Sequence, residues 1–91
     1  MSEHAVPRLL VPLVRNEAEG RWELRAPVRT FSADLIAVEI LELCTGDHTI
    51  GWIVDDLAKT YKAPREKILM DVRIFLRDLI DKKLLELRFL H

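Results

Sequence analysis

Residues 39–54 read "EILELCTGDHTIGWIV", and how this stretch divides decides the fold. It holds Cys44, the sole cysteine of the chain, and His48, one of three histidines. A thiol and an imidazole so close together suggest either a reactive or metal-binding pair or the join between two helices. Helical phase favours the join. Ala33, Ile36, Ala37, Ile40, Leu43 and Cys44 form one apolar stripe, so the spacing predicts a helix over residues 33–44 with Cys44 facing the core. Ser32 is a good N-cap for it, and Asp34 suits its first turn. Gly46 supplies a stop. Thr49 then caps a second helix over 50–61, whose stripe is Ile50, Ile53, Val54, Leu57 and Tyr61. His48 falls in the loop between them, off the face that carries Cys44. A zinc site needs three or four ligands, yet there is no second Cys, and His4 and His91 lie near the termini.

Toward the C-terminus, "KAP" ends the second helix and Pro64 suits the first turn of a third, since its missing N–H would be unpaired there anyway. That helix, over about 65–82, carries Ile68, Leu69, Val72, Phe75, Leu76, Leu79 and Ile80 on its core side. "LLELRFL" follows as a short terminal strand or a frayed tail. Toward the N-terminus the texture changes to strands. "LLVPLVRN" is apolar and β-branched, "EAEG" signals a turn, and "RWELRA" alternates. Trp22, Leu24 and Ala26 face one way, and Arg21, Glu23 and Arg25 the other. Pro12 argues for an edge or a bulge in the first strand. Pro27 breaks the second run, and "VRTF" offers a third strand. The connections are too short for parallel crossovers, so the expected architecture is α+β, a three-stranded antiparallel meander followed by three helices.

Composition narrows the function. Ninety-one residues, 49% of them hydrophobic, suit one domain over residues 1–91, with 1–7 and 88–91 expected to be mobile. Fourteen basic and fifteen acidic residues give a net charge of −1, so nothing pulls the whole chain toward nucleic acid or anionic membrane. "MSEHAVPRLL" lacks the apolar region of a signal peptide, and no apolar run is long enough to span a bilayer. A lone cysteine fits a reducing cytoplasm. No GxGxxG, Walker loop, GxSxG or HExxH is present, so the chain reads as a binding module without cofactor or metal rather than an enzyme.

The third helix suggests where binding occurs. With the core stripe centred on Val72, Met70 and Ile74 fall about 160° away, flanked by Arg73 and Arg77. Leu35 and Val38 lie off the first helix's stripe, and Trp52 off the second's. A small meander also has edges, and an uncovered edge is a template for another chain's strand. Edge and helix flank together would make a groove for an extended peptide.

Pro27 and Arg29, "AVEILELCTG" at 37–46, "TIGWIVDDLAKTY" at 49–61 and "DVRIFLRDLIDKKLL" at 71–85 resemble the PqqD family, the small peptide chaperones of pyrroloquinoline quinone biosynthesis. The resemblance runs from about residue 7 to 87 and implies a winged-helix-like fold. It also implies binding of the precursor peptide PqqA and its presentation to the radical SAM enzyme PqqE. The leader would add as an antiparallel strand beside Val28, Arg29, Thr30 and Phe31. Met70 and Ile74 would take apolar leader side chains, and Arg29, Arg73 and Arg77 acidic ones. Thr45 stands where family members commonly carry Asp, and Val28 where Glu is usual. Leader recognition in another pathway, such as a lasso-peptide one, is a close alternative. A winged-helix DNA-binding domain is a more distant one, for residues 62–83 hold seven basic against four acidic residues. Exposed edge and apolar flank could also pair two copies.

Overall fold

The computed structural model describes residues 1–89, which form five strands and three helices. The order is β1 (Ala5–Leu9), β2 (Leu13–Asn16), β3 (Arg21–Arg25), β4 (Thr30–Ala33), α1 (Leu35–Glu42), α2 (Ile50–Tyr61), α3 (Arg65–Asp81) and β5 (Leu85–Phe89). Strands β2, β3 and β4 make the expected antiparallel meander, and β1 pairs with β5 in a separate two-stranded ribbon. The fold is α+β and winged-helix-like.

The apolar run "LLVPLVRN" is therefore the last residue of β1, a break, and then β2, rather than one strand. Pro12 has no N–H to continue a ladder. The chain leaves the ribbon there, with Leu10 donating to the Leu84 carbonyl at 2.9 Å and the Pro12 carbonyl accepting from Arg25 at 3.1 Å. The ribbon also ties down the first residues, which were expected to be mobile. Ala5 and Val6 are fully buried, and Gly51 donates to the Glu3 carbonyl. The Arg65 guanidinium bonds both Glu3 and Asp55, and its hydrogen bond holds the Glu3 carboxyl below its ordinary value. At the other end Arg88 and Phe89 belong to β5, the strand reading of the tail. Leu90 and His91, the end of the tail expected to be mobile, lie outside the described residues.

The start of α1 departs from expectation by two residues. Ser32 and Ala33 pair with Glu23 and Trp22 across the sheet, so their backbone belongs to the ladder. Asp34 is the N-cap instead, its carboxylate accepting from Ala37 N–H at 2.8 Å. The buried stripe turns with it. Val38, Ile40, Leu41 and Cys44 are buried, while Ile36, expected in the core, is 61% exposed. The helix ends at Glu42 without needing Gly46. Gly46 sits at φ +91° and donates to the Pro7 carbonyl, packing the loop against β1. Helices α2 and α3 match their expected spans closely, with Thr49 accepting from Trp52 N–H at 3.1 Å.

One core runs through the molecule. Ile50, Ile53, Val54 and Leu57 of α2 meet Leu69, Val72, Leu76 and Leu79 of α3, with Leu24 from the sheet and Leu84 and Leu85 beneath. Glu23 is the polar exception. It lies on the outward side of β3 as its alternation requires, yet only 4% of it is exposed. Arg21 and Asn16 each donate to its carboxylate at 3.2 Å, and Arg25 at 3.5 Å. Burial pushes this carboxyl up, but those donors and the two arginine charges outweigh it and hold it below its ordinary value.

A depressed folded-state value contributes stability that is complete above the unfolded value of 4.5 and is lost as pH falls through the folded one. Denaturant titrations of the wild type and of Glu23→Gln should therefore show a stability gap in favour of the wild type at neutral pH. The gap should narrow between about pH 5 and pH 3. A gap independent of pH would mean that the arginine clasp does not act through the charged carboxylate.

Candidate functional site

The free edge of β4 defines the site. β3 pairs with one side of β4, and no strand among the described residues pairs with the other. The unpaired side opens toward α3 across a hollow of about 230 Å³, walled by Phe31, Ser32 and Ala33 of β4 and by Phe75 and Asp78 of α3 with its C-cap Lys82. Leu41 and Leu79 lie at its base, both buried. The floor is thus apolar and the rim charged. An unpaired row of backbone donors and acceptors beside an apolar trough can accept an extended peptide.

The sheet and α3 hold the walls by different means. Pro27 sets the corner of a tight turn in which Ala26 N–H donates to the Arg29 carbonyl at 3.0 Å. Val28 and Arg29 therefore form this turn rather than heading the strand, and Val28 is 94% exposed. Arg29 reaches forward to lie 4.9 Å from the centre of the Phe31 ring, and Lys82 approaches it at 5.9 Å. Lys82 also bonds both carboxylate oxygens of Asp78, at 2.5 and 2.6 Å. Phe75 and Asp78 of α3 and its C-cap Lys82 face β4, and they recur at helical spacing along one flank of the core stripe.

Of the residues expected from the sequence, the structure gathers some and separates others. Phe31 is in the groove, and Thr30 stands on its exposed edge strand. Val28 and Arg29 line a second hollow at the start of β4, together with Lys82 and Lys83. Ile74 lines the groove's outer lip with Asp71, Phe75 and Asp78. Met70 is 63% exposed, but neither it nor Arg73 nor Arg77 lines these hollows. By helical phase they occupy the opposite flank of α3, where the Arg73 charge acts on Glu3. Phe75, Asp78 and Lys82 were not singled out. Helical spacing puts Phe75 on the core side, and its place at the margin of that stripe is the signal for its role in the groove wall.

The cysteine and histidine of the join stay apart in chemistry. Cys44 is buried with its Sγ 3.3 Å from the Ile40 carbonyl, and burial pushes the thiol up to about 12. His48 stacks on Trp52, ring centres 3.9 Å apart. Among the described residues no three of His, Cys, Asp and Glu are grouped to hold a metal ion, and no helix is long and apolar enough to cross a membrane.

Fold and groove together define a winged-helix-like domain with an open strand edge. Residues 23–85 match the family described as Coenzyme PQQ synthesis protein D (PqqD). A Bradyrhizobium diazoefficiens protein named PqqA binding protein is 48% identical over 67 residues, covering 74% of this chain and 65% of that one. One of the same name from Rhodopseudomonas palustris strain BisB5 is 44% identical over 81 residues, 89% of this chain and 78% of that one. Among solved structures, the PqqD truncation of Methylobacterium extorquens PqqCD superposes with a TM-score of 0.75 at 38% identity, covering 89% of this chain and 88% of that one. That truncation is described as a functional, stand-alone recognition element for ribosomally synthesized and post-translationally modified peptides. The chain belongs to the PqqD family.

If Cys44 is as sequestered as its packing indicates, a thiol reagent near pH 8 should label the native protein at least about 100-fold more slowly than the urea-unfolded chain. Equal rates would place the thiol at the surface.

Proposed function

We propose that this chain is a non-catalytic recognition element that binds a PqqA-type precursor peptide by antiparallel strand addition to β4. The observation that carries this reading is the free β4 edge lying open beside the apolar flank of α3. The names of its relatives and the peptide-recognition role of the Methylobacterium extorquens domain support the choice of ligand. Main-chain hydrogen bonds to Thr30–Ala33 supply affinity that tolerates sequence, and the side chains of Phe31, Ile74 and Phe75 select apolar residues. Arg29 meets acidic groups at the start of the strand.

The bound peptide is then handed to a PqqE-type radical SAM enzyme. Met70 and Arg77, on the flank of α3 away from β4, remain open to that enzyme or to the emerging peptide, with the half-buried Arg73 beside them. The chain acts in the cytoplasm, which suits a cysteine kept as a thiol. A second copy would pair along the unpartnered edge of β2.

Ile74 is 65% exposed, so Ile74→Asp should leave the circular dichroism spectrum native. It should weaken binding of a synthetic PqqA peptide at least about tenfold in calorimetric titration. Wild-type affinity should fall less than about tenfold between ~50 and ~200 mM salt, whereas contacts to nucleic-acid phosphates would lose about 10³–10⁵. Undiminished binding by a folded Ile74→Asp protein would contradict the groove assignment.

A further inference from the structure

Beyond Ala33, alongside the β4 groove, lies a separate crevice of about 240 Å³ between the three helices, lined by Ile36, Ile40, Leu57, Tyr61 and Ile68, with Asp71 and Val72 of α3. Its wall is almost wholly apolar, and it explains why Ile36 points out of the core. The Tyr61 hydroxyl donates to Glu39 and braces the far side, joining the end of α2 to α1. Asp71 also borders the outer lip of the β4 groove, so the two spaces adjoin along α3. At the opposite end the groove runs past Phe31 and Lys82 into the hollow beside Arg29 and Lys83. Arg29 and Lys83 make no ion pair among the described residues, and only Lys82 is matched, by Asp78. The crevice end is therefore apolar, and the other end is net positive.

We propose that this crevice is an anchoring subsite for one large apolar side chain of the bound peptide, and that it fixes the peptide's direction. The inference rests on the strand-addition reading above. β4 runs from the basic end toward α1, so a strand added antiparallel to it begins at the crevice and ends at Arg29, Lys82 and Lys83. Its anchor lies on the N-terminal side and its carboxylates on the C-terminal side. From Ile68 to Lys82 the helix rises about 21 Å, which an extended peptide covers in about six residues. The peptide recognised thus carries a bulky apolar residue about six positions before an acidic one. The crevice suits a single side chain, since pockets for free small molecules run to about 300–1,000 Å³.

The test uses the whole chain and a synthetic peptide of the Bradyrhizobium diazoefficiens PqqA sequence. Ile36 is exposed in the first turn of α1, where a carboxylate is favourable, so Ile36→Asp should fold normally. Its affinity for the peptide should fall at least about tenfold. Independently of any variant, nuclear Overhauser contacts between labelled wild-type protein and unlabelled peptide give the order directly. The Ile36 and Ile68 methyls should contact a large apolar residue about six positions N-terminal to the peptide residues nearest Arg29. Reversed order, or contacts to Phe31 with none to Ile36 and Ile68, would overturn the anchor while leaving strand addition standing. Wild-type binding matched by a folded Ile36→Asp protein would do the same. Failure of the wild type to bind the peptide at all would remove both readings together.

Discussion

The burial of Leu69, Val72, Leu76 and Leu79 along one stripe of α3 sets where every other face of that helix must point. Once the stripe is fixed against α2 and the strands, Phe75, Asp78 and Lys82 have to line the space beside β4, and Met70, Arg73 and Arg77 have to face away. The groove is thus a by-product of core packing rather than a feature added to it. Neither wall can shift without disturbing residues that are nearly inaccessible to water. Close-packed interiors resist such displacement, so the edge of β4 is presented against a rigid wall.

A peptide that adds to this edge gains the same backbone hydrogen bonds whatever its side chains, so selection must come from what lines the groove. The floor of Leu41 and Leu79 and the Phe75 wall favour apolar residues on the inward face of the added strand. The Arg29 charge beside Phe31 and that of Lys83 give the other end its sign. Chain-wide charge contributes little, because basic and acidic residues nearly cancel. Recognition by this domain is therefore a matter of local geometry.

Helices carried by strong local signals were largely legible in the sequence, although Tyr61, expected on the α2 stripe, is 43% exposed. α2 begins after Thr49 and buries Ile50, Ile53, Val54 and Leu57 as its spacing requires, and α3 exposes Met70 and Ile74. What escaped depends on partners far away in the chain. Ser32 and Ala33 look helical until Glu23 and Trp22 claim them for the sheet. Ala5–Pro7 looks like a loose end until Leu87–Phe89 returns beside it from the other terminus. Glu23 reads as a solvated residue, because its cover comes from side chains on both its own strand and the next. The site was half legible for the same reason. Strand edge and outward Ile74 follow from local pattern, but which flank of α3 faces β4 is settled only by tertiary packing.

Amide hydrogen exchange along β4, with and without bound PqqA peptide, tests strand addition most directly. Strand addition requires that alternate residues within Thr30–Ala33, those whose N–H groups point away from β3, become at least about tenfold more protected when the peptide binds. Tight peptide binding with β4 exchange unchanged, or with new protection along β2 instead, would contradict it.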